Sequence, residues 1–147
     1  MRVSTKGRYG VRFMLDLSQH QEDGPVALRD IARRQAISEK YLWQVINPLK
    51  ALGLVSSVRG AKGGFVLARP PAQITIRDIV STLEGSTALV KCLDSPETCK
   101  RSGTCVAREM WEELEGKMSE AMGAITLQDM IDRQRAKDSA TAVSFEI

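Results

Sequence analysis

The stretch that decides the fold runs from Leu28 to Leu67, LRDIARRQAISEKYLWQVINPLKALGLVSSVRGAKGGFVL. Leu28, Ile31 and Ala32 recur at helical spacing, and Gln35-Ala36-Ile37 then breaks the pattern. Ser38 is a good N-cap residue, and Leu42, Val45, Ile46, Leu49 and Leu52 restart an apolar face at three- and four-residue steps. Gly53 before Leu54 marks a helix C-terminus, because glycine takes the left-handed position there. Two short helices joined by a tight turn form a helix-turn-helix pattern. Val55–Val58 and Phe65–Leu67 then read as two short strands, joined by the glycine-rich, cationic segment Arg59-Gly60-Ala61-Lys62-Gly63-Gly64. A helix-turn-helix followed by a basic hairpin is the outline of a winged helix. Arg33, Arg34, Lys40, Lys50, Arg59, Lys62 and Arg69 fall on this stretch or just past it, with few acids among them. That charge favours DNA binding, with the second helix in a major groove and the hairpin tip on phosphates or in the minor groove.

Composition supports this through distribution more than through totals. Over 147 residues the formal net charge is only +3. The first seventy residues are basic, however, whereas Glu109 to Glu120 is acid-rich. The length fits one domain, with room for an extension. No apolar run approaches a membrane span, and no secretory signal peptide is recognisable. A cytoplasmic protein without a membrane partner is therefore expected, and there thiols stay reduced. Three cysteines then suggest metal or redox chemistry better than a disulfide framework.

Taken from its start, the chain opens with a helix beginning after Ser4 or Thr5. Tyr9, Phe13, Met14 and Leu17 form its buried face; Arg8, Arg12, Asp16 and Gln19 form a polar stripe. Lys6, Arg8 and Arg12 lie near its start, where they either reach DNA phosphates or stay solvated. His20, the one histidine, sits at the helix end as a dipole partner. Pro70-Pro71 closes a winged helix-turn-helix unit over 1–71. Thr75-Ile76-Arg77-Asp78 fits a capping box opening a scaffold helix within 72–90, which Gly85 stops. The segment 91–105 is a polar loop carrying Cys92, Cys99 and Cys105. By spacing alone, zinc, an iron–sulfur cluster and free thiols are comparable readings. Residues 106–132 hold a long helix and a short terminal helix, the latter opened by Thr126-Leu127-Gln128-Asp129. Ala107, Trp111, Leu114, Met118, Ala121 and Ile125 make a coiled-coil-like seam, interrupted by Gly116 and Gly123. That seam packs either on its own domain or on a twin. The polar, small-residue stretch 133–147 reads as a disordered tail. The fold class is thus mainly α with a small β-hairpin wing: a winged helix-turn-helix plus a long helix.

Three blocks, MRVSTKGRYGVRFMLDL, DIARRQAISEKYLWQVINPLKALGLVSSVRGAKGGFVLARP and the three downstream cysteines, together resemble the Rrf2 family of bacterial transcription regulators. The resemblance covers roughly residues 1 to 130 and is closest to the three-cysteine, iron–sulfur type. It implies a winged-helix homodimer on double-stranded operator DNA, with the long helix as dimerisation helix. Carried over residue by residue, the base-reading helix supplies Ser38, Glu39, Tyr41 and Gln44, with Lys40 beside them. The wing supplies Arg59 to the minor groove, together with Lys62; Lys6 and Arg8 complete the DNA-facing set. Cys92, Cys99 and Cys105 would hold an iron–sulfur cluster, [2Fe–2S] or [4Fe–4S], and the function implied is sensing of iron–sulfur, redox or nitric-oxide status.

The chain departs from the family pattern at three places. Trp43 stands where a polar, base-reading side chain is common. Pro48 falls inside the recognition helix, where a proline costs ~3 kcal/mol, so a kink or an early helix end is expected. Arg108 occupies the place of a histidine that follows the last cysteine by three residues, and arginine does not ligate; Asp94, Glu97, Glu109 or a partner-subunit residue would have to replace it. A regulator of the same fold switched by thiol oxidation, zinc or a protein partner is the alternative. No phosphate-cradling glycine motif and no Cys-Xaa-Xaa-Cys pair is present, so an enzyme is not expected.

Overall fold

The computed structural model describes residues 1–145. Helix α1 (Thr5–His20) starts at Ser4, whose hydroxyl accepts from the Gly7 amide at 3.1 Å. Phe13, Met14 and Leu17 on its inner face have no exposed surface and begin the core. Helix α2 (Leu28–Gln35) and helix α3 (Glu39–Ala51) form the helix-turn-helix, with Ile31, Leu42, Val45, Ile46 and Leu49 buried against α1. Strands β1 (Val55–Val58) and β2 (Gly64–Leu67) pair antiparallel, Val55 opposite Leu67 and Val58 opposite Gly64. Helix α4 (Ile76–Glu84) follows the wing. A four-residue helix α5 (Lys91–Asp94) precedes the long helix α6 (Val106–Ala124), and α7 (Leu127–Phe145) ends the described chain. One core joins α1, α3, the wing, α4 and the start of α7.

Small residues set how close the scaffold lies to the DNA-binding unit. A Cβ on Gly10 would sit 1.9 Å from Leu83 Cδ1, and one on Gly7 would sit 2.2 Å from Glu84 Oε1. Helix α4 therefore lies directly on the α1 backbone. Glu84 also accepts from the Ser4 amide at 2.9 Å and from its hydroxyl at 2.7 Å. The turn between α2 and α3 is made by Ala36, left-handed at φ 54°, with the Ile37 amide donating to the Ala32 carbonyl at 3.1 Å. The wing is fixed from behind by Val26, which exchanges two 2.9 Å backbone hydrogen bonds with Phe65. That contact requires Gly64, because a Cβ there would lie 2.2 Å from the Val26 carbonyl oxygen.

Three expectations are corrected. Asp16 does not belong to a solvated stripe: it is 1% exposed and accepts from Arg34 Nη2 at 2.7 Å and from Gln35 Nε2 at 2.8 Å. Arg12 joins it, donating to the Gln35 side chain at 3.1 Å and to the Gln35 carbonyl. Helix α3 does not end at Pro48 but runs to Ala51, with the Leu52 amide donating to the Pro48 carbonyl at 3.1 Å. The bond that proline cannot donate would go to Gln44, whose residue is exposed, so water can satisfy that carbonyl. Helix α6 is the long helix expected and is continuous through Gly116 and Gly123, where Gly123 leaves room for the Arg77 guanidinium, which donates to the Ser119 carbonyl at 3.4 Å. The stretch expected to be a disordered tail is helical through Phe145, while residues 146 and 147 lie outside the described residues. It contains no Gly or Pro, is rich in Ala, and carries Gln134–Asp138 one turn apart at 2.9 Å.

Candidate nucleic-acid interface and cysteine segment

The outward side of α3 is built from the residues left over once its core face is assigned. Leu42, Val45, Ile46 and Leu49 point inward, so Glu39, Lys40, Trp43, Gln44, Asn47 and Lys50 are exposed. Ser38 caps the helix, its hydroxyl accepting from the Tyr41 amide at 3.1 Å. Tyr41 is half-buried and meets Tyr9 edge-to-face at 5.5 Å, which ties the start of α3 to α1. On the opposite flank Trp43 meets Phe65 of β2 edge-to-face at 5.7 Å and stays 44% exposed. Arg59 and Lys62 are exposed at the wing tip, where Gly60 is left-handed at φ 117°. Lys40, Arg59 and Lys62 make no ion pair among the described residues, so these charges are available to an anionic partner. Lys6 is half-buried and Arg8 exposed near the start of α1; Arg8 leans on the Thr5 hydroxyl at 3.2 Å.

The clamp behind this surface was not foreseen. Asp16 receives both Nε (3.0 Å) and Nη2 (2.7 Å) of Arg34, and this hydrogen bonding raises the Arg34 pKa above its ordinary value. His20 Nδ1 lies 2.7 Å from the Asp16 carbonyl. Helix α2 is thereby locked to α1, and α3 inherits its placement. The Gly7 and Gly10 contacts were also missed; their signal in the sequence is a Ser4-x-x-Gly7-x-x-Gly10 step that keeps small residues on one helix face.

Cys92 lies in α5, Cys99 follows a 3₁₀ turn (Pro96–Thr98), and Cys105 is the N-cap of α6. All three are free thiols and half-buried. Among the described residues no three His, Cys, Asp or Glu side chains are gathered as a metal site, so the sulfurs are not drawn together in this conformation. The donor set nevertheless fits three positions of an iron–sulfur cluster: three thiols within fourteen residues, linked only by short turns. Lys91, Lys100, Arg101 and the positive end of the α6 dipole complement an anionic thiolate–cluster group. Arg108, in the histidine position, reaches back across this segment. Its Nε donates to the Cys92 carbonyl at 3.4 Å, and its Nη1 lies 3.7 Å from Glu112. Glu115 Oε2, one to two turns further along α6, is buried without a partner among the described residues.

A helix-turn-helix braced on a basic two-stranded wing defines a winged-helix protein. The family model described as an iron-dependent transcriptional regulator, Rrf2, matches residues 3–133. The chain belongs to the Rrf2 family and is a DNA-binding transcriptional regulator, not an enzyme. It is 37% identical over 140 residues to the regulator IscR of Xenorhabdus nematophila, spanning 95% of this chain and 85% of that one. It is 40% identical over 130 residues to CymR of Bacillus subtilis, spanning 88% and 89%. Among solved structures, IscR of T. potens superposes with a TM-score of 0.74 at 43% identity, covering 91% of this chain and 88% of that chain. The structure of CymR, the global cysteine regulator of B. subtilis, gives 0.75 at 37% identity, covering 90% of this chain and 98% of that chain. No helix among the described residues is long and apolar enough to cross a membrane.

Proposed function

We propose that the chain is a homodimeric, cytoplasmic regulator that reads operator DNA through α3 and the wing and senses iron–sulfur, redox or nitric-oxide status through a cluster at Cys92, Cys99 and Cys105. The observation that carries the DNA half is the exposed polar and cationic face of α3 beside unpaired wing cations. Ser38, Glu39, Lys40, Tyr41 and Gln44 meet the major groove, where Gln pairs with adenine. Arg59 enters the minor groove, and Lys62, Lys6 and Arg8 take phosphates. The uncovered apolar seam of α6 supplies the dimer contact.

For the sensing half, the supporting observation is three free thiols running into the N-terminus of α6. When bound, an iron–sulfur cluster supplies a centre sensitive to oxidants and nitric oxide. The residues around it do the transmitting. Arg108 holds the Cys92 backbone to α6, so drawing the three sulfurs together alters the pull on the helix that carries the dimer contact. Arg77 and Ser119 pass that shift to α4, which lies on α1 through Gly7 and Gly10. Coupling of ~1–3 kcal/mol changes operator affinity several-fold to a hundredfold.

The test is anaerobic purification with an absorption spectrum and iron and sulfide counts per subunit. Brown protein with cluster proportions of both supports the reading. The triple variant Cys92→Ala, Cys99→Ala, Cys105→Ala should be colourless, folded and unresponsive; cluster-dependent operator binding by that variant overturns the ligand assignment. A second reading, a switch by thiol oxidation, zinc or a protein partner, is favoured by the likeness to CymR and by Arg108 in the histidine position. Protein that stays colourless after anaerobic reconstitution, yet is normally regulated, selects it.

A further inference from the structure

We propose that Trp43 is a base-reading residue that selects thymine through the C5-methyl group. The inference rests on the placement of α3 in the major groove. The exposed part of Trp43 puts an apolar surface on a helix side that is otherwise polar. Trp43 is 44% exposed on the same helix side as Lys40, Gln44 and Asn47. It is not a loose surface residue. Its ring meets the edge of Phe65 at 5.7 Å, and Phe65 in turn meets Phe13 of the core at 6.5 Å. The chain of rings fixes the indole against β2 while leaving nearly half of it free.

Two features decide what the free part recognises. Its surface is mostly hydrocarbon, and in the major groove the one apolar mark on a base edge is the thymine methyl. Its neighbour Gln44 has the amide geometry that pairs with adenine N6 and N7. Adjacent positions on α3 would therefore read an A·T-rich step, Gln44 from the adenine edge and Trp43 from the thymine methyl. Pinning by Phe65 adds affinity, because a ring already ordered loses little freedom on binding.

The experiment uses the full chain and an operator enriched from random duplexes. Each thymine is replaced singly by deoxyuracil, which removes the methyl and leaves every hydrogen bond of the base pair. In the wild type, one or two positions per half-site should lose about fourfold in affinity, the factor matching ~0.8 kcal/mol for one buried carbon. Trp43→Ala should bind thymine and uracil duplexes equally. Should Trp43→Ala fail to fold by circular dichroism, Trp43→Phe keeps an aromatic edge for Phe65 and should retain part of the methyl dependence. Indifference of the wild type to every uracil replacement, while Gln44→Ala weakens binding, overturns the role of Trp43 and leaves α3 in the groove. If Gln44→Ala and Trp43→Ala both bind as the wild type does, the placement of α3 falls as well.

Discussion

Single atoms decide whether the scaffold fits. Gly10 faces Leu83, whose Cδ1 lies 1.9 Å from where a Cβ would be. Leu83 is buried, so an alanine methyl would have to displace its side chain within the core. Overpacking of this kind costs ~1–3 kcal/mol, while alanine regains up to ~1 kcal/mol of helix propensity. Gly10→Ala should therefore lower stability by about 1–2 kcal/mol, read as a fall in Tm of ~2–6 °C. Gly116 is the contrast, with nothing within 4 Å of its Cβ position. Gly116→Ala should raise stability by up to ~1 kcal/mol. Equal effects from the two substitutions would show that α1 and α4 do not meet as described. Neither outcome was legible in the sequence, where the Ser4, Gly7 and Gly10 step marks a small-residue face without naming Leu83 as what lies on it. Asp16 was hidden for the same reason: its helix spacing says polar, but its partner Arg34 is 18 residues away and no local pattern names it.

Elements, by contrast, announced themselves wherever their chemistry is local. Both capping boxes were readable because each is complete within four residues, and both form. What the sequence did not reveal is that they start side by side. Thr75 and Thr126 form an antiparallel bridge, and the Leu127 amide donates to the Ile74 carbonyl at 2.8 Å. The length of α7 was missed because its later turns have little apolar content, although nothing in them breaks a helix. Its first turn depends on Asp129, which accepts from the Thr126 amide at 2.8 Å. That backbone hydrogen bond, then the Thr126 side chain, holds the Asp129 carboxyl below its ordinary pKa. A depressed carboxylate stabilises the fold at pH above its unfolded value, and the contribution is lost as pH falls through the lowered folded value. Amide protection in the first turn of α7, taken relative to the intrinsic exchange rate at each pH, should fall over that acidic window and hold steady nearer neutrality. Asp129→Asn should exchange faster at neutral pH and show no such step; an unchanged acid step in that variant would assign it to another group.

At the scale of the whole molecule, α6 is the element one chain leaves unfinished. It is 19 residues long and has no buried residue, yet Val106, Met110, Trp111 and Leu114 are 75%, 45%, 37% and 44% exposed. A helix polar all round would tolerate that; one with an apolar seam is stabilised by covering it. The lower end of the seam is better protected, Met118 and Ile125 being half-buried where α6 packs on α4. The uncovered part is therefore the half next to the cysteine segment, the half whose position Arg108 would alter. A second copy covering it would place two recognition helices about one DNA turn, ~34–36 Å, apart. Leu114→Glu puts a charge into the seam without touching α1 to α4, so it should sediment as a folded monomer where the wild type should sediment as a dimer. Losing the second half-site should cost about 10²–10⁴-fold in operator affinity, the gain that linkage of two modest contacts provides. Each protomer brings the same phosphate contacts, so the slope of log affinity against log salt, about −0.9 per phosphate neutralised, should fall to half. A Leu114→Glu protein that keeps the full slope and still sediments as a dimer would move the interface away from α6, and with it the route from the cysteines to the DNA.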